Sequence, residues 1–197
     1  MGRIMPHRLT LLTVVLSLTL AGTAWAQNEL FPNTKDQGRA VVEYEDDAIQ
    51  LVAAYNYSQL NHDSRWLLIE AAVSTEERMT VPREAFRLIT PGGVEITLAA
   101  QRRFSSDIQR TRLLVQNAST TRHGVTLYFN QRTQSENFQF FRLPNEPTVR
   151  RQFVIDDRRV AFGDLFFESP TGLWDAGTYT LVLEHEGVRA AMPIELE

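Results

Sequence analysis

The sequence predicts an all-β protein, an antiparallel β-sandwich, and three observations carry that prediction. Beyond about residue 40, apolar and polar residues alternate with a period of two through most of the chain. The alternating segments are short, rich in Val, Phe, Tyr and Thr, and separated by turn residues, unlike the strand-helix alternation of βαβ units. No internal repeat and no Pro/Gly/Ser-rich linker divides residues 40–197, so they read as a single sandwich domain.

The chain opens with a segment of a different kind. "MGRIMPHRLTLLTVVLSLTLAGTAWA" has Arg3 and Arg8 ahead of an apolar run from Leu9 to Leu20, then Ala24-Trp25-Ala26 as an A-x-A cleavage site. That is the layout of a signal peptide over 1–26, and the expected location is periplasmic or secreted. The alternative is an uncleaved anchor, although the run is short for a membrane-spanning helix. Cutting 26 of the 197 residues leaves 171, enough for one domain with a substantial core. Two arginines and no acids leave with the segment, so the formal charge moves from −4 to −6. A mildly acidic domain is a poor partner for nucleic acid. There is no cysteine, so stability must come from burial. Lys35 is the sole lysine among 20 basic residues, a bias that runs the length of the chain and fits a GC-rich bacterial genome.

Taken in order, residues 27–39, "QNELFPNTKDQGR", read as a flexible lead-in. "AIQLVAAYNYS" places Ile49, Leu51, Ala53, Tyr55 and Tyr57 on one strand face. "RWLLIEAAVS" sets Leu67, Ile69, Ala71 and Val73 against Trp66, Leu68, Glu70 and Ala72. "AFRLIT" and "VEITLAA" flank "TPGG", where Pro91 presets φ and Gly92 accepts a positive φ, so a tight antiparallel turn is expected. "SSDIQRTRLLVQNAST" breaks the period. A short helix crossing between the sheets is expected at about 106–118 with Ser106 as N-cap, though "RTRLLVQN" also fits a strand. "GVTLYFNQ", "NFQFFRL", "RRQFVID", "RVAFGDLFFES", "TYTLVLEHE" and "VRAAMPIEL" then read as strands, with "DDRR" as a hairpin turn.

The stretch "GLWDAGTYTLVLEHEGVRAAMPIELE" carries the most specific pattern. Asp175-Ala176-Gly177-Thr178-Tyr179 stands immediately before an alternating strand, the penultimate one. It resembles the tyrosine corner of immunoglobulin-like sandwiches, in which a Tyr near the start of that strand returns its hydroxyl to backbone. The resemblance covers about 25 residues, and Leu181 stands where antibody domains place a cysteine. It implies an immunoglobulin-like antiparallel sandwich with insertions, and a structural role for Asp175, Gly177 and Tyr179.

Chemistry is sparse. His62, His123 and His185 stand in turn-like contexts without metal-ligand spacing. "EYEDD" at 43–47 lacks the ladder of a calcium loop and reads as a solvated edge. There is no G-x-S-x-G, S-x-x-K or H-E-x-x-H, and Gly92-Gly93 does not precede a helix. No catalytic, cofactor-binding or metal-binding residue is therefore singled out. "NYS" and "NAS" match glycosylation sequons at Asn56 and Asn117, discounted for a bacterial exported protein. The aromatic residues remain: Phe138 and Phe140 on one face of "NFQFFRL", Phe141 on the other, and the pair Tyr55/Tyr57. Their first reading is core, and Tyr55, Tyr57 and Phe141 are the candidates for a binding surface. The expected function is a cell-envelope interaction module without catalysis that recognises another protein. A glycan-binding module using exposed aromatics is the alternative, and an envelope hydrolase the third reading. Exposed Tyr55/Tyr57 would favour glycan; an uncovered apolar sheet edge would favour a protein joined by strand addition.

Overall fold

A computed structural model describes residues 30–61, 65–130, 132–144 and 149–197. The proposed signal peptide and His62 lie outside them. The chain divides into two units, Met1–Asn33 and Thr34–Glu197, and the strands and helices below belong to the second.

Among the described residues, twelve strands form three sheets. The first has six, in the order β1 (Thr34–Gly38), β2 (Val41–Glu45), β3 (Ile49–Ala54), β4 (Trp66–Thr75), β10 (Arg159–Glu168) and β8 (Gln134–Asn137). The second has four, in the order β12 (Val188–Leu196), β11 (Gly177–His185), β6 (Phe86–Ile89) and β7 (Glu95–Thr97). A two-stranded ribbon pairs β5 (Met79–Pro82) with β9 (Gln152–Ile155). Pairing is antiparallel throughout except that β8 runs parallel to β10, a departure from the all-antiparallel expectation.

The alternating residues identified in the sequence face one another between the two larger sheets. Leu67, Ile69, Ala71 and Val73 from β4 meet Phe86, Leu88, Leu181, Leu183, Met192 and Ile194 in one buried core. The architecture is thus an all-β sandwich of open sheets. The "TPGG" turn is present, with the Gly93 N–H donating to the Thr90 carbonyl at 2.9 Å, and "DDRR" turns β9 into β10.

The lead-in expectation needs correcting. Thr34–Gly38 is not a loose arm but strand β1, paired with β2 from Thr34↔Tyr44 onward. Its polar sequence hid it, because an edge strand needs no apolar face to use its backbone. Arg39 and Ala40, both at positive φ, reverse the chain between the two strands.

The helical segment also goes further than expected. Helices α2 (Gln101–Ser106) and α3 (Ile108–Ala118) connect the second sheet to the first, after α1 (Asn56–Asn61) has already interrupted the strand pattern. Asp107, not Ser106, stands at the N-cap of α3, and its carboxylate accepts from the Trp66 indole N–H at 2.9 Å instead of from the helix. Phe104, Leu114 and Ala118 pack on Trp66, Leu68 and Phe166. "GVTLYFNQ" contains a 3-10 turn, Val125–Tyr128, instead of a strand; Val125 and Phe129 cover Val41, Val52, Ala72 and Val160. The centre of the six-stranded sheet is therefore covered on both faces, and all ten residues of β4 are buried. "NFQFFRL" is likewise mostly loop, β8 ending at Asn137.

Asp175, Gly177 and Tyr179 form a closed corner at the start of β11. The Tyr179 hydroxyl donates to the Asp175 carbonyl at 3.0 Å and the side chain is 3% exposed. Gly177 has φ 145°, and a Cβ there would stand 3.0 Å from Pro91. Replacing Tyr179 by phenylalanine removes this part-buried hydrogen bond, and should cost about 1 kcal/mol in denaturant unfolding.

Candidate functional site

Of the three aromatic candidates, Tyr55 is excluded as a surface residue. β3 stops at Ala54, and Tyr55 turns inward, 4% exposed, with its hydroxyl hydrogen-bonded to the backbone of Glu195. Tyr57 lies on α1, so the two tyrosines share no strand face; it packs half-buried on the cluster that includes Phe104 and Phe166. Phe141 packs on that same cluster and on the main core. Its ring centroid stands 5.1 Å from that of Phe104 and 5.0 Å from that of Phe166. Phe138 and Phe140 are fully buried, as their first reading held.

Beside Phe141 a cleft of about 260 Å³ opens between the helical layer and residues 137–143. Phe141 and Phe166 contribute apolar surface, and Asn137, Gln139, Arg122 and Arg142 contribute polar groups. Gln139 holds a positive φ of 45°, with its N–H donating to the Asn137 side chain at 2.8 Å. That turn brings Phe138 and Phe140 into the core while leaving Gln139 half-exposed and Arg142 exposed. The Arg142 backbone is held on both sides by the Gln101 side-chain amide, at 3.0 and 3.1 Å.

Behind the cleft lies a charge cluster the sequence did not reveal. Glu70 of β4 and Asp164 of β10 are directly opposite each other in register, an unfavourable pairing unless a cation intervenes. Arg122 supplies it, donating to both Asp164 oxygens at 2.8 and 2.7 Å and standing 3.8 Å from Glu70 Oε2. Burial raises the Glu70 pKa from 4.5 to about 7; Asp164 adds to the rise, while Arg122 and the His123 backbone oppose it. Asp164 in turn holds the Arg122 guanidinium firmly in its charged form. Sequence alternation put Glu70 on a strand face with Trp66 and Leu68, and an acid among those neighbours was the only signal available.

Sheet edges are the other route to a partner. The loop Glu186–Gly187, at φ 49° and 83°, makes His185/Val188 the closing pair of the last hairpin. Counting along β12 from there, Arg189, Ala191, Pro193 and Glu195 direct their backbone groups away from β11. Pro193 offers no N–H at its position. The Tyr44 hydroxyl stands 3.2 Å from the Arg189 carbonyl, and Tyr55 engages Glu195. β1, β7 and β8 are short and polar. None of these four strands offers an uncovered apolar edge for strand addition.

No protein-family model matches the chain, and no curated protein sequence matches it. Among solved structures it is similar to that of ycdA, a chain of Bacillus subtilis subsp. subtilis str. 168 designated a lipoprotein, with 14% identity and a TM-score of 0.41. The match covers 78% of this chain and 38% of the other, so the chain spans well under half that protein's length. So slight a likeness brings no property of that protein here. No helix among the described residues is long and apolar enough to cross a membrane.

Proposed function

We propose that the chain is an exported cell-envelope module of immunoglobulin-like type that recognises a partner protein, through the cleft beside Phe141, and does no catalysis of its own. The observation that carries the reading is the cleft itself: a partly buried aromatic ring beside amide and guanidinium groups on a rigid scaffold. Aromatic and arginine side chains of this kind dominate protein recognition surfaces. Export is supported by the layout of residues 1–26, and the immunoglobulin-like type by the Asp175–Tyr179 corner. The non-catalytic reading is supported by what occupies the acid pair behind the cleft: Glu70 is 6% exposed and lies beneath an Arg122 already bound to Asp164. Glu70 lacks the open approach that acid–base catalysis requires, and Asp164, which lines the cleft, has both carboxylate oxygens engaged by Arg122.

Tagged full-length protein should co-purify with a specific envelope protein, and Arg142→Ala or Phe141→Ala should lower its yield at least tenfold. Unchanged yields would remove the cleft from the reading. Retention in the polysaccharide fraction, lost in Phe141→Ala, would replace the protein partner with a glycan stacked on the same ring.

A further inference from the structure

A second cavity, of about 620 Å³, lies outside this cleft and has an unusual charge arrangement. Leu98, Ala100 and Val149 line its apolar part, and Arg83, Arg151 and Glu84 its charged part. The two arginines lie opposite each other just beyond the β5–β9 ribbon, where the Arg83 backbone N–H donates to the Arg151 backbone carbonyl at 2.9 Å, and both line the cavity. Arg83 is fixed in place: its guanidinium lies 5.2 Å from the Phe141 ring centroid and 6.0 Å from that of Phe140, and Nη2 donates to the Ala99 carbonyl at 2.6 Å. The remaining N–H donors of Arg83 have no acceptor among the described residues. Neither arginine forms an ion pair with any of the described residues. Several other arginines do pair with acids, as in Arg103 with Glu168 and Arg122 with Asp164.

Burial makes the charged form of Arg83 less favourable, and the like charge of Arg151 adds to this, with Glu84 opposing. A half-buried guanidinium placed beside a second one, with Glu84 the single acid lining the cavity among the described residues, leaves one positive charge uncompensated there in a largely apolar cavity. An oxyanion between the two forks would compensate it, since guanidinium binds carboxylate or phosphate through paired N–H groups. The apolar wall gives the rest of the ligand a surface to bury.

We propose that this cavity is a binding site for an amphiphilic anion, with one carboxylate or phosphodiester group held between Arg83 and Arg151 and an apolar body lodged against Leu98, Ala100 and Val149. The inference is independent of the partner reading above.

Titration calorimetry on the full-length protein with octanoate, octanamide, dibutyl phosphate and inorganic phosphate tests it. Octanoate or dibutyl phosphate should bind at least tenfold more tightly than octanamide, and whichever binds more tightly identifies the headgroup. Arg151→Gln, at an exposed position, should weaken that binding about tenfold without lowering the melting temperature, and Arg83→Gln should weaken it further. Glu84→Gln should tighten it, because it removes the competing negative charge. Equal affinity for octanoate, dibutyl phosphate and octanamide, or no effect of Arg151→Gln, would overturn the proposal. Inorganic phosphate binding as tightly as the amphiphiles would also overturn it, by showing that the apolar wall takes no part.

Discussion

Replacing Phe138 by alanine should destabilise the domain by about 3–5 kcal/mol, the cost of deleting a large side chain from a packed core. Phe138 is fully buried and belongs to a group of four phenylalanines, with ring centroids 4.6 Å from Phe140, 5.1 Å from Phe153 and 6.0 Å from Phe86. Its ring lies against the backbone of Gly163 in β10, where a Cβ would fall 2.6 Å from it. Gly163→Ala should therefore cost about 1–3 kcal/mol through overpacking. In the Phe138→Ala background the added methyl enters the vacated space, so its cost should vanish or change sign. Denaturant unfolding of the two single variants and the double variant measures this coupling, and additive effects would contradict the contact. The consequence reaches the cleft, because Asn137, Gln139, Phe141 and Arg142 hang on the segment that Phe138 and Phe140 anchor.

Glu70→Gln should make the protein more stable at pH 8 by about 2–3 kcal/mol and leave it little changed at pH 4.5. The folded-state pKa of Glu70 is near 7, against 4.5 for the unreacted side chain. Between those values the folded state keeps a proton that the unfolded state releases, so stability falls as pH rises from 4.5 through 7. Below and above this window the group contributes no further slope. Glutamine keeps the shape without the buried charge, so the variant should lose the descending limb. Unfolding midpoints across pH 4.5–8 would show it, and parallel curves for the two proteins would contradict the burial-driven shift.

The strand pairs of the core were legible because they alternate cleanly. Leu181 and Leu183 against Thr180 needed no tertiary information, and neither did the corner at Asp175–Tyr179. Residues 101–130 were harder. A helix at 108–118 was within reach, but its destination was not, although β4 carried the clue: Trp66, Leu68 and Ala72 are apolar on the side opposite Leu67 and Ile69. A strand apolar on both faces is covered on both faces, and the helical layer is that cover. Tyr55 and Tyr57 misled because period two extends into the first residues of α1, where only a change of backbone direction separates strand from helix. The Phe141 cleft and the paired arginines at 83 and 151 could not be read from sequence spacing. Arg83 stands 58 residues from Phe141 and 68 from Arg151 along the chain, and only the β5–β9 ribbon and the loop after β8 bring them together.

The most direct test of the binding-module reading is site-specific photo-crosslinking in the intact cell envelope, with a benzophenone side chain at Gln139 and, as control, at Thr178 on the outer face of β11. The account predicts one reproducible protein adduct from position 139 and none from 178. Adducts of equal yield from both positions, or from 178 alone, would contradict recognition through the Phe141 cleft.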